Sequence, residues 1–118
     1  MPILYIAGPY SADTKAKRDA NIGAARDAAL QAWMNGWTAI TPHLNTCQFD
    51  DMIDLPNERY IKGDLEIVHR LQPERGDALY LLPNWDQSKG AIAELHRAQA
   101  RKLPIHFGAV PLCVWGEE

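Results

Sequence analysis

Short apolar runs alternate with longer amphipathic stretches along this chain. Runs at residues 3–7, 37–41 and 77–82 are bounded by Gly or Pro, and apolar runs bounded in this way are typical of strands buried in a parallel sheet. Residues 103–107 predict a fourth strand. Residues 110–115 predict an edge strand or a tail, because Pro111 removes one ladder donor.

Helical periodicity fills the intervals between these strands. Helices are predicted from Asp13 or Thr14, as the N-cap, to about Asn35, then over about 57–71 and 91–102. Gly36 is expected to stop the first helix, whose inner face is predicted to be Ile22, Ala25, Ala29 and Trp33. Residues 43–56 have no period and predict a loop long enough to help cover a site.

Alternating strands and helices predict one α/β domain over residues 1–118. The expected architecture is a three-layer sandwich with a flavodoxin-like, mostly parallel sheet of four to five strands and right-handed crossovers. No run of about 18 apolar residues and no signal-peptide pattern occur, so we expect a cytoplasmic protein without a membrane span.

Charge and metal-ligand types narrow the choice of ligand. The formal net charge is −3, and dispersed basic residues do not favour binding of a nucleic-acid polymer, so a small molecule is expected. Cys47 and Cys113 lie far apart, and the four histidines show neither HxH nor HExxH spacing. We therefore expect no metal and no cofactor.

The stretch from Ser88 to Glu94 joins a predicted strand to a predicted helix, and ligands of α/β sheets bind at such junctions. Ala91, Leu95 and Ala98 should face the sheet, with Glu94 at the edge of that stripe. Glu94 would be partly desolvated there, with the helix macrodipole helping to keep it ionised as a nucleophile or base. A surface pair with Arg97 at i+3 is the alternative that position alone leaves open.

Two further side chains stand out in otherwise apolar patterns. Asp64 interrupts the helical stripe formed by Tyr60, Ile67 and Leu71, and Tyr5 carries a hydroxyl into a buried strand. Tyr5 has a structural alternative, a core phenol bonded to backbone. Two inward carboxylates and a phenol are the groups that glycosyl chemistry uses.

These residues lie in motifs that resemble the nucleoside 2-deoxyribosyltransferases and the related 2'-deoxynucleoside 5'-phosphate N-hydrolases. The resemblance covers most of the chain and is carried by residues 4–8, 63–66 and 88–94, and it is nearest to a small uncharacterised branch from phages and bacteria. It implies that Glu94 attacks the anomeric carbon, that Asp64 assists the base or the acceptor, and that Tyr5 holds the nucleophile. It also implies a homodimer or higher homo-oligomer.

The resemblance also bears on the substrate. Ser88 matches the position that contacts the 5' group of the sugar, where a Ser is similar to the nucleotide hydrolases, so a nucleoside monophosphate is expected. Gly8, Ser11, Gly90 and His43 are the other predicted substrate-binding residues, although a backbone-bonded loop role for His43 is the alternative. A non-catalytic nucleotide-binding module with the same pocket is the alternative function.

Overall fold

The computed structural model describes residues 1–114. Over these residues the strands are β1 (Ile3–Ala7), β2 (Thr38–Ile40), β3 (Ala78–Leu81) and β4 (Ile105–His106). The helices are α1 (Lys15–Met34), α2 (Pro42–Asn45), α3 (Asn57–Arg70) and α4 (Lys89–Ala100). Single turns of 3-10 helix occur at Phe49–Asp51, Pro73–Arg75 and Trp85–Gln87.

The four strands form one parallel sheet in the order β2, β1, β3, β4. Tyr5 of β1 stands opposite Ile40 of β2 and Leu79 of β3, so β1 lies inside the sheet. Helices cover both faces, which confirms the predicted α/β class and the flavodoxin-like sandwich. No helix in the described part of the chain is long and apolar enough to cross a membrane.

Alternation along β1 divides the core into two layers, because successive side chains of a strand point to opposite faces. Leu4 and Ile6 pack on the α1 side, where small side chains such as Ala25 and Ala32 let the helix come close. Tyr5 and Ala7 point to the other face, toward α3 and α4. The phenol therefore enters the layer that carries Asp64 and Glu94.

The cap and the stop of α1 lie where the sequence predicts them, but one residue predicted to face inward is exposed. The Thr14 hydroxyl accepts from the Lys17 amide at 3.1 Å, and Gly36 follows the helix with φ 95°. Trp33, however, is 54% exposed. Ala32 occupies the buried position instead, so the helix presents a small residue to the sheet and leaves the large ring in solvent.

Residues 43–56 are less irregular than the sequence indicates. The segment begins within α2 and contains the 3-10 turn Phe49–Asp51, so the expectation of a loop without periodic structure is partly wrong. Both turns are too short to generate a periodic pattern in the sequence. Gln48, with φ 62°, marks the bend between them.

The end of the described chain is a tail and not a strand. Residues 110–114 pair with no strand, and Trp115, the last residue of the predicted element, lies outside the described residues. Asn35 Nδ2 donates to the Val110 carbonyl at 2.9 Å, and Trp37 Nε1 donates to the Pro111 carbonyl at 2.8 Å. The tail thus closes the end of α1.

Candidate functional site

A cavity of about 120 Å³ lies where residues following the carboxyl ends of the parallel strands meet α3 and α4. Gly8 follows β1, His43 follows β2, and Gly90 begins the helix after β3, so the position is that expected of a ligand site in an open α/β sheet. The volume has room for several water molecules or part of a small ligand. The lining residues used below are Gly8, Tyr10, Ser11, His43, Asp50, Tyr60, Asp64, Gly90 and Glu94.

Glu94 projects into this cavity from the second turn of α4. Ser88 caps the helix by accepting from the Ala91 amide at 3.1 Å, while Ala91 and Leu95 pack against the sheet. Glu94 is only 6% exposed, and the Tyr5 hydroxyl donates to its Oε2. The carboxyl therefore lies deeper than the helix edge predicted from the sequence, and its partner is Tyr5 instead of Arg97.

The burial of Glu94 governs its protonation. Loss of solvent raises the pKa of Glu94 to about 8; the hydrogen bond from Tyr5 lowers it, and the negative charge of Asp64 raises it. Burial thus favours the protonated carboxyl and opposes the ionising effect that the sequence assigns to the helix macrodipole. Burial, followed by the charge of Glu94, also raises the pKa of Tyr5, so its hydroxyl remains a donor.

Asp64 faces the same cavity from α3. It is half-buried, and burial raises its pKa to about 6. Among its apolar neighbours on the predicted stripe, Leu71 is buried, while Tyr60 and Ile67 are only half-buried. Val68 was missed by the sequence reasoning and is the fully buried anchor of the helix. The anchor leaves Asp64 on the side of α3 that lines the cavity.

His43 is buried at the start of α2. The sequence offered two roles for it, a substrate contact or a histidine bonded to the backbone, and its position fits both. Its Nε2 lies 3.0 Å from the Pro9 carbonyl, so it is backbone-bonded, and it also lines the cavity. A carbonyl can only accept, so Nε2 carries the hydrogen. Burial lowers the pKa of His43, which favours a neutral ring with Nδ1 as an acceptor.

The predicted substrate-binding residues divide into two groups. Gly8, Ser11 and Gly90 line the cavity, but Ser88 is not a lining residue and its hydroxyl caps α4. A Cβ at Gly8 would stand 2.7 Å from the Leu82 Cβ. The absence of a side chain at Gly8 is thus required by packing between the ends of β1 and β3.

Sequence reasoning missed a polar cluster that ties residues 48–51 to α1. Arg18 is 9% exposed and bonds Asp50 at 3.0 Å and Asp51 at 3.0 and 2.8 Å. The Tyr10 hydroxyl donates to Asp50 and accepts from the Gln48 amide, both at 2.9 Å. The available signal was Arg18 itself, a charge four residues before Ile22 on the inner stripe of α1.

The site offers acid and base groups. Among the described residues, no group of three or more His, Cys, Asp or Glu side chains is arranged to hold a metal ion. Two carboxyl groups with raised pKa values near neutrality, one bonded to a buried phenol, form the type of arrangement found where proton transfer or nucleophilic attack occurs.

Comparison with known proteins places the chain in a family. A search among curated proteins finds no match. A family model described as "Domain of unknown function (DUF4406)" matches residues 2–107, which include every residue of the cavity discussed above. The chain, with its four-stranded parallel sheet and its carboxyl-lined cavity, therefore belongs to the DUF4406 family.

Proposed function

We propose that this protein cleaves or transfers the N-glycosidic bond of a (2'-deoxy)nucleoside 5'-monophosphate. The observation that carries the proposal is the meeting of the Glu94 and Asp64 carboxyl groups in one cavity, with the Tyr5 hydroxyl bonded to Glu94. Most glycosidases use a pair of carboxyl groups, one to attack or stabilise the anomeric carbon and one to manage the leaving group's proton. The resemblance to the deoxyribosyltransferases and N-hydrolases assigns the same roles to these residues.

In the proposed reaction, a Glu94 oxygen forms a bond to the anomeric carbon while the bond from that carbon to the base nitrogen breaks. The electron pair goes to the base, and Asp64, with its pKa near 6, supplies a proton to it. Water, or a second base, then attacks the glycosyl ester and releases Glu94 as a carboxylate. Asp64 accepts the proton of the incoming nucleophile.

Glu94 must be ionised to attack, and burial opposes its ionisation. Positive charge that develops on the sugar in the transition state stabilises the carboxylate, and the Tyr5 hydroxyl holds the attacking group in place. The reaction needs Glu94 ionised and Asp64 protonated, so we expect a bell-shaped dependence of turnover on pH, with its maximum between the pKa of Asp64, about 6, and that of Glu94, about 8.

We propose that the phosphate binds at the start of α4 and not between the carboxyl groups of the cavity. Asp50, Asp64 and Glu94 line the cavity, and no Lys or Arg is among the described lining residues. Lys89 and Gly90 supply the first two amides of α4, which have no acceptor within the helix. Ser88 adjoins them, so an anion would be received at the start of α4.

Glu94 also gives a reason to keep the second candidate, a nucleotide-binding module without turnover. A carboxyl with a pKa near 8 is largely protonated at neutral pH, and a protonated carboxyl is a poor nucleophile.

The homodimer stays a prediction; exposed apolar side chains that a second copy could cover include Trp33, Met34, Met52 and Ile53.

The test is release of free base from a panel of 2'-deoxynucleosides and their 5'-monophosphates, followed chromatographically at pH 7 and pH 8.5. Glu94→Gln should lower turnover by several orders of magnitude, since an essential group is removed. Glu66→Gln, on the exposed face of α3, is the matched control and should retain activity. Binding without release by the wild-type protein would support the module and reject the enzyme.

A further inference from the structure

Two buried polar atoms of residues that line the cavity have no hydrogen-bond partner among the described residues. They are Tyr60 Oη and His43 Nδ1. A buried polar atom left unpaired is destabilising, because it has lost its hydrogen bonds to water and gained none in return. The two other unpaired buried atoms, Nε of Arg18 and Nε of Arg101, belong to side chains that make hydrogen bonds elsewhere and do not line this cavity.

The direction of the missing bond at His43 is set by the ring's other nitrogen. Nε2 carries the hydrogen because it faces the Pro9 carbonyl. Burial lowers the pKa of His43 and outweighs the contributions of the Pro9 and Gly8 backbones, which raise it, so the neutral ring is favoured. Nδ1 is therefore an acceptor, and only an N–H or O–H group of a ligand or water can satisfy it.

The Tyr60 hydroxyl can donate to an acceptor on the same ligand. Tyr60 precedes Asp64 by four residues on α3, so the two side chains lie on one face of the helix about one turn apart. Both line the cavity. In the proposed reaction Asp64 reaches the leaving base, and a hydroxyl one turn away reaches the same part of the substrate.

We infer that Tyr60 and His43 bind the hydrogen-bonding edge of the nucleobase and determine which bases the site accepts. This inference rests on the proposed function. The edge must present an N–H to His43 Nδ1 and an acceptor to the Tyr60 hydroxyl. A base that lacks one of these groups leaves a buried protein atom unpaired and is selected against.

Paired Tyr→Phe variants separate binding from structure. Tyr60→Phe removes a hydroxyl without a protein partner, so it should weaken nucleotide binding about three- to tenfold without lowering the unfolding temperature. The Tyr80 hydroxyl donates to the Gly108 carbonyl away from the cavity. Tyr80→Phe should therefore lower the unfolding temperature and leave binding unchanged.

Binding is measured by calorimetry with the four common 2'-deoxynucleoside 5'-monophosphates, on the Glu94→Gln background to prevent turnover. His43→Gln tests the acceptor, because its amide nitrogen can take the place of Nε2 opposite Pro9 while nothing replaces Nδ1. Two analogues of the tightest ligand identify the contacted part: one is methylated on the N–H of the base, the other lacks the 3'-hydroxyl.

The inference predicts that base methylation weakens binding to proteins with His43 but costs little in His43→Gln, whereas 3'-deoxygenation costs the same in both. It is overturned if Tyr60→Phe binds nucleotides like its parent, or if Tyr60→Phe lowers the unfolding temperature as much as Tyr80→Phe. It is also overturned if the binding loss that depends on His43 is seen on removal of the 3'-hydroxyl and not on methylation of the base. If the wild-type protein binds nucleotides without releasing base, the proposed turnover is wrong, but the binding test of Tyr60 and His43 can still be completed. Protein that neither binds nor cleaves any of them rejects both.

Discussion

The Tyr5 hydroxyl donates to Oε2 of Glu94 although 89 positions separate the two residues in the chain. Tyr5 is fully buried in an inner strand, and Glu94 is buried in the helix that packs on that strand. The residue pattern left open a backbone partner for Tyr5 and an Arg partner for Glu94, while the family resemblance implied that Tyr5 holds Glu94. Packing of α4 against β1 makes the carboxyl the partner of the phenol.

We expect Tyr5→Phe to move the pH dependence of turnover upward. The Tyr5 hydrogen bond lowers the pKa of Glu94, so its loss raises that pKa and reduces the ionised fraction at pH 7. A lost hydrogen bond to a charged group should reduce kcat/KM at pH 7 roughly 10- to 100-fold. The deficit should shrink at higher pH, and a deficit that is constant from pH 6 to 9 would contradict a role in positioning the ionised carboxylate.

Glu94 should also make folding stability depend on pH. Its pKa in the folded protein, about 8, exceeds the ordinary value of 4.5, so the folded state binds more protons between these values. The free energy of unfolding should therefore decrease as pH rises from about 5 to 8. His43 and His106 have lowered pKa values and act in the opposite direction below about pH 6.5.

Comparison with Glu94→Gln isolates this contribution, because both histidines and Asp64 remain in both proteins. Urea unfolding at pH 5.5, 7 and 8.5 should show a smaller loss of stability in Glu94→Gln than in the wild type. Parallel curves for the two proteins would mean that Glu94 is not the titrating group.

Arg18→Met should loosen residues 48–51. The variant removes both ion pairs to Asp50 and Asp51, while those carboxylates are about half-exposed and can regain water. Relative to the wild type, amide hydrogen exchange should become faster in this segment and stay unchanged in α4. The KM should rise because Asp50 lines the cavity. Lys17→Met, which breaks the exposed pair with Asp13, is the control and should change neither measurement.

Ser88→Asp tests the phosphate. An Asp side chain caps a helix as well as a Ser side chain, so the fold should be retained. Its charge should lower kcat/KM for a deoxynucleoside monophosphate at least tenfold more than for the unphosphorylated nucleoside, because like charges repel at the start of α4. Equal losses for both substrates would limit Ser88 to its observed role as the α4 cap.

The order of the four strands and three long helices, an N-cap at Asp13 or Thr14 and the stop at Gly36 were determined by the sequence, because each depends on local periodicity or on the chemistry of one or two residues. The structure selected Thr14 as the cap and added the short helix α2. Glu94 and Asp64 were also recognisable locally, as carboxyl groups on apolar helical stripes.

Long-range packing decided the rest. The depth of Glu94, and with it a pKa near 8, depends on the solvent that β1 and α3 exclude. The Arg18 bonds to Asp50 and Asp51 span 32 and 33 residues, and the unpaired Nδ1 of His43 follows from the Pro9 carbonyl beside its ring. Periodicity reports which face of an element is buried, but only the tertiary structure decides which partner each buried polar atom meets.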